Sequence, residues 1–180
     1  MSFVVISSTL NDDSWAAKYA GTTAPVINLD GSAQDALGFT ASRDDLSGTV
    51  SSATQVAIVD ASHPLAGGLS AGAQTVLSSA ANLSWGTPNA SAAVVATAGA
   101  GSHQGSVYGY EAGSSMAGGT DAAGRRVNLP FQTPDLGSLT AEGGALLVAA
   151  VDWVSDFSII EVGGDLSATA GDSVVLQART

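Results

Sequence analysis

Pro25-Val26-Ile27-Asn28-Leu29-Asp30-Gly31-Ser32-Ala33-Gln34-Asp35-Ala36-Leu37-Gly38-Phe39 is the stretch on which the fold turns. Pro25 to Leu29 reads as a buried strand, Asp30 to Gln34 as a tight turn, and Asp35 to Phe39 as the opening of a short helix. A strand, a sharp glycine turn and a helix start bring backbone N–H groups together, which is the usual seat for a nucleophile or an anion. The thiol that this geometry most often serves is absent, because the chain has no cysteine. The segment therefore points to a fold kept for shape or binding more than for catalysis.

Upstream, Phe3 to Ser7 is a continuous apolar run, the mark of a parallel strand buried on both faces. Asp12 or Asp13 is placed to cap a helix over Ser14 to Tyr19, with Trp15 and Tyr19 four apart on one face, and Gly21 stops it. The opening thus reads as a βαβ unit, which is nearly always a right-handed crossover. Downstream, Gly48–Ala53, Gln55–Val59, Thr75–Leu77, Val94–Thr97 and Ser106–Tyr110 are strand candidates separated by Gly, Ser, Asn and Pro clusters. This zone is expected to be a β-rich insertion attached to the α/β sheet. Arg125 to Phe131 returns to strand chemistry. Thr140 then opens the clearest helix, with Leu146, Leu147, Ala150, Val151 and Val154 at helical spacing and Trp153 near its end.

The bulk numbers bound the function classes. At 180 residues there is room for one full domain and a fragment of another. Charged residues are 12% of the chain, about half the usual share. The surface must then be dressed with Ser, Thr, Gly, Asn and Ala, which suits an extracellular or cell-surface protein in an assembly or a longer chain. A net charge of −11, with Lys18 the only lysine, repels nucleic acid and anionic membranes. Without cysteine there are no disulfides or thiolate metal sites. No apolar run approaches the roughly 20 residues of a membrane span. Phe3 to Ile6 is too short for a signal-peptide core and lacks a basic flank.

Several stretches, in this order and spacing, carry a resemblance: Val4 to Thr9, Ala24 to Ile27, His63-Pro64-Leu65-Ala66-Gly67-Gly68-Leu69, Leu83-Ser84-Trp85-Gly86, and Arg125-Arg126-Val127 leading to Leu146 through Trp153. Over about residues 3 to 156 the chain resembles the class I glutamine-amidotransferase-like superfamily. The likeness is to its divergent branch in bacterial secreted proteins, related to trehalose-utilisation-type domains. The resemblance implies an α/β, flavodoxin-like parallel sheet flanked by helices over residues 1–156. Residues 157–180, with strand-like Ser158–Val162 and Asp172–Gln177, resemble the start of an immunoglobulin-like or PKD-like module and form a C-terminal β tail. The family carries a cysteine where Asp30 stands, and a His and Glu late in the domain, matched here only by Glu111 in Tyr108-Gly109-Tyr110-Glu111. The resemblance thus implies the fold and not glutamine hydrolysis. It also implies a strand and a helix ahead of Val4, a front half expected to be supplied by another chain or a neighbour, or to have been lost.

Each candidate residue has a chemical and a structural reading. Asp30, with Gly31 and Ser32, forms a degenerate elbow: a carboxylate nucleophile or base at a strand's carboxyl end, or a turn and helix cap. His63, held extended by Pro64, is a base or a turn residue bonded to Asp60 or to backbone. Glu111 is an acid/base group or the partner of Arg125 or Arg126. Trp85, in a Ser-Trp-Gly turn, with Tyr108 and Tyr110 would give a sugar-stacking surface. Trp15, Trp85 and Trp153 could together form such a platform, though Trp153 sits at core spacing, where packing is the structural reading. His103 lies in a Gly/Ser loop with no clustered partner, so zinc is not expected. Asp12-Asp13 and Asp44-Asp45 lack the alternating spacing of a calcium loop.

The expectation is a non-catalytic extracellular interaction domain without cofactor or metal. It would pack on copies of itself or on neighbouring domains through strand edges and a low-charge surface, up to a filament. The alternatives are a hydrolase using Asp30 with Glu111 or His63, and a carbohydrate-binding module using Trp85.

Overall fold

A computed structural model describes residues 2–9, 13–42, 45–98 and 104–155. The elements run β1 (Val4–Ile6), α1 (Asp13–Ala17), β2 (Val26–Asn28), β3 (Ser47–Ala53), β4 (Gln55–Ile58), β5 (Gly72–Thr75), β6 (Ala81–Gly86), β7 (Ala93–Thr97), β8 (Gly105–Tyr110), β9 (Arg126–Asn128) and α2 (Ala141–Ser155). Short 3₁₀ turns cover Gly31–Ala33, Pro64–Ala66 and Thr133–Ser138. The α/β class read from the sequence is the class observed.

The nine strands form one mixed sheet, in the order β1-β2-β9-β8-β7-β4-β5, with β6 joining at β8 and β3 pairing β6. Parallel pairing joins β1, β2 and β9, as the βαβ opening requires. The other pairings are antiparallel. The β-rich segment is therefore a continuation of the sheet. Its strand β8 is buried along its whole length between β9 and β7.

Alternation along each strand divides the interior into two cores. Ile27, Leu29, Val107, Val127 and Leu129 face α2 and pack on Leu146, Ala150 and Val154. Val26, Ile6, Tyr108 and Tyr110 face the other way and pack on Ala16 of α1 and on Ala33, Leu37 and Phe39 after β2. Full burial of a side chain such as Leu146 contributes roughly 1.5–3 kcal/mol. Thr140 starts α2: its Oγ1 accepts from Gly143 N–H at 3.1 Å and donates to Thr75 O at 2.7 Å. A Cβ at Gly143 would lie 2.1 Å from Val76 O, so only glycine lets α2 approach the sheet this closely.

Three expectations change. The apolar run at Phe3–Ser7 is not buried on both faces. Among the described residues β1 is an edge strand, and Val5, 47% exposed, lies on the α2 side of the sheet. The helix expected from Asp35 is a turn, because the 3₁₀ segment starts earlier, at Gly31. Leu83 to Gly86 belongs to a strand, β6. The tail at 157–180, with its strand-like segments, lies outside the described residues.

Candidate functional site

At the expected elbow, β2 runs into a 3₁₀ turn over Gly31–Ala33. Asp30 follows β2 at the carboxyl ends of the parallel strands, where open α/β sheets place their ligands. Asn28 fixes it from both sides: Asp30 N–H donates to Asn28 Oδ1 at 3.1 Å, and Asn28 Nδ2 donates to Asp30 O at 2.8 Å. The Asp30 side chain caps the 3₁₀ turn, its Oδ1 accepting from Ser32 N–H at 3.0 Å and Ser32 Oγ at 2.7 Å. Asp30 is 7% exposed. It borders a cavity of about 370 Å³ with Ser8, Gly31, Ser47, Thr49 and Gln132. No base stands among these residues.

His63 and Glu111 lie elsewhere. They border a second, larger groove of about 820 Å³ with Arg125, Asp152 and Trp153. Glu111 follows β8, and Arg125 precedes β9, which runs antiparallel to β8. This groove thus opens at the amino end of β9, and the Asp30 cavity at the carboxyl end. Asp30 does not meet Glu111 or His63, so the three do not form one catalytic set.

Inside the larger groove the polar groups hold one another. Arg125 Nε donates to Glu111 Oε2 at 2.8 Å, and Nη1 donates to Trp153 O at 2.7 Å. The guanidinium sits 5.1 Å from the Trp153 ring centroid, and the His63 ring lies 5.9 Å from it on a tilted plane. His63 Nδ1 accepts from Leu65 N–H at 3.2 Å, capping the 3₁₀ turn at Pro64–Ala66. That bond places the proton of the neutral ring on Nε2. Asp60 Oδ1 accepts from Ser62 N–H and Oγ, and these bonds hold its carboxyl below the usual value of 3.8.

The sugar platform does not assemble. Tyr108 and Tyr110 are fully buried in the core on the α1 side, edge-on to Phe39 and to each other. Tyr108 OH donates to Gln34 Oε1, and Tyr110 OH donates to Phe39 O at 3.0 Å. Burial raises both phenols above their usual 10.0, that of Tyr108 far above it. Trp85 is half-buried on β6 and lies across Gly48 of β3, whose missing side chain makes the space. It therefore sits flat on a strand and not in an open turn.

Sequence reading missed two features. Arg126 is wholly buried without a carboxylate: its Nη1 donates to Ala24 O at 3.0 Å, its Nη2 to Ala20 O at 3.3 Å and to Thr22 O, and its Nε has no partner. It pins the α1–β2 turn, and burial lowers its pKa from 12.5. The Arg125-Arg126 pair held that signal, since neighbours on a strand point to opposite faces. The second is Trp15, 52% exposed, with Lys18 Nζ 3.7 Å from its ring centroid. Among the described residues no cluster of His, Cys, Asp or Glu could hold a metal ion. No described helix is long and apolar enough to cross a membrane. His103, Asp12 and Asp44 lie outside the described residues.

No family model, no curated protein and no solved structure matches the chain.

Proposed function

We propose that the chain is a non-catalytic interaction domain of an extracellular protein, built on an amidotransferase-like scaffold, that joins copies of itself or neighbouring domains through the free edge of β1. The observation that carries this reading is the orientation of Val5. Val4 N–H donates to Pro25 O at 2.8 Å, and Ile6 O accepts from Leu29 N–H at 2.9 Å. Both groups point at β2, so the N–H and C=O of Val5 point away from the sheet, with the exposed Val5 side chain beside them. An edge with outward backbone groups and an apolar side chain is a template for an added strand. The closed cap at Asp30 supports the non-catalytic half of the reading.

Light scattering coupled to size exclusion tests it. The wild type should show a mass above one chain that rises with concentration. Val5→Pro removes the outward N–H and no β1–β2 bond, so it should lower the mass reached at each concentration with its circular dichroism intact. A wild type that stays at one chain's mass throughout would overturn the proposal.

A further inference from the structure

Trp15 is a half-exposed indole on a five-residue helix at the β1 border of the molecule, with Lys18 over its ring and Tyr19, 37% exposed, four residues on. Exposed Trp and Tyr side chains are the composition of interface anchors. The electrostatics single the place out. The chain carries −11, so two copies repel over most of their surfaces. Among the described residues Arg126 is buried and Arg125 is held by Glu111, which leaves Lys18 as the exposed cation outside an ion pair.

The complementary surface is the larger groove. Its wall on α2 is made of small residues, Ala141, Ala145 and Ala149, with Val148 58% exposed and Asp152 exposed one turn further on. Pro64 and Gly68 form the facing wall. At about 820 Å³ the groove has room for an indole and a lysine stem, and Asp152 offers the charge that Lys18 lacks.

We propose that the Trp15–Lys18–Tyr19 surface of one copy seats in the α2 groove of the next, with Lys18 facing Asp152. α1 packs on one face of the sheet and α2 on the other, so the two surfaces lie on different sides of the molecule. The contact is therefore heterologous, and it propagates as an open chain or closes as a ring. This inference rests on the reading that copies of the chain associate, but it does not use the β1 edge.

Complementation tests it. Trp15→Ser keeps the groove and loses the anchor, and Val148→Lys keeps the anchor and blocks the groove. Both positions are exposed, so both variants should fold. To silence the strand edge, each is made in the Val5→Pro background and measured by sedimentation velocity on the full chain. Each variant alone should sediment as one chain. An equal mixture should form two-chain particles and nothing larger, and 1 M NaCl should reduce them. If either variant does not fold, Lys18→Glu and Asp152→Lys serve instead, each losing assembly alone and regaining it when combined in one chain. A mixture that stays at one chain's mass would overturn the inference while leaving the β1 reading intact. Variants that each assemble like their parent would overturn it equally. A parent Val5→Pro chain that never associates would also overturn it.

Discussion

The side chains of Asn28 and Asn128 meet across β2 and β9, Asn28 Nδ2 donating to Asn128 Oδ1 at 2.9 Å with both residues fully buried. Asn128 Nδ2 continues to Ser106 O at 3.1 Å, and Asn28 holds both backbone groups of Asp30. A polar ladder thus runs from β8 through β9 and β2 into the elbow. It explains the fixed outline of the turn at Asp30: the shape is held from below by two amides. Buried polar networks of this kind rigidify a core when every member is satisfied.

Asn28→Ala should therefore destabilise the fold by more than a surface change, by about 2–4 kcal/mol, since it strands the Asn128 carbonyl and the Asp30 N–H in the interior. Asn28→Ala with Asn128→Ala should lose less than the sum of the two single variants. Urea unfolding of the four proteins measures the coupling; strict additivity would show that the ladder is not one unit.

Asp30→Ala should remove the cap on Ser32 and lower stability by roughly 0.5–2 kcal/mol. The mass in solution should not change. Hydrolysis assayed over a broad panel of ester, amide and glycoside substrates should be absent before and after the substitution. A turnover that collapses with Asp30→Ala in a folded protein would restore the hydrolase.

Gly109 of β8 lies under the Trp153 indole, where a Cβ would come within 2.9 Å of the ring. Gly109→Val should lift the indole, loosen its contacts with Arg125 and His63, and cost about 1–3 kcal/mol through overpacking. Tryptophan fluorescence should shift to the red. An unshifted spectrum with unchanged stability would mean that the helix end moves freely.

Alkaline pH should unfold the protein. Tyr108 and Tyr110 have folded pKa values raised by burial, so the unfolded chain loses their protons first. Their stabilisation is complete below pH 10 and falls as pH rises above it toward the folded values. Tyrosinate absorbance of these two residues should appear together with loss of circular dichroism. Ionisation of both in a chain that is still folded would contradict their burial.

The strand-turn frame was legible because it rests on local rules. Pro25 to Leu29 is apolar and short, Asp30-Gly31 marks a turn, and the spacing from Leu146 to Val154 is helical. Long-range relations were less visible. The exposure of Val5 depends on its strand ending the sheet, which no property of Phe3-Val4-Val5-Ile6 encodes. Tyr108 and Tyr110 looked like surface aromatics because glycine and serine surround them. Their alternation across β8 instead points them at Phe39, some seventy residues away in sequence. Gln132 reaches the Asp30 cavity only because the segment after β9 returns beside β2. Trp85 read as a turn because Gly86 follows it, whereas β6 needs that glycine beside Gln34 and Tyr108.

Amide hydrogen exchange at Val5 tests the central claim most directly, because its N–H points out of the sheet and gains a partner only from another strand. Exchange measured by NMR should be fast in dilute protein and slow by at least tenfold once light scattering shows association. Fast exchange at Val5 in a fully associated sample would contradict the account, since the copies would then be joined without the β1 edge.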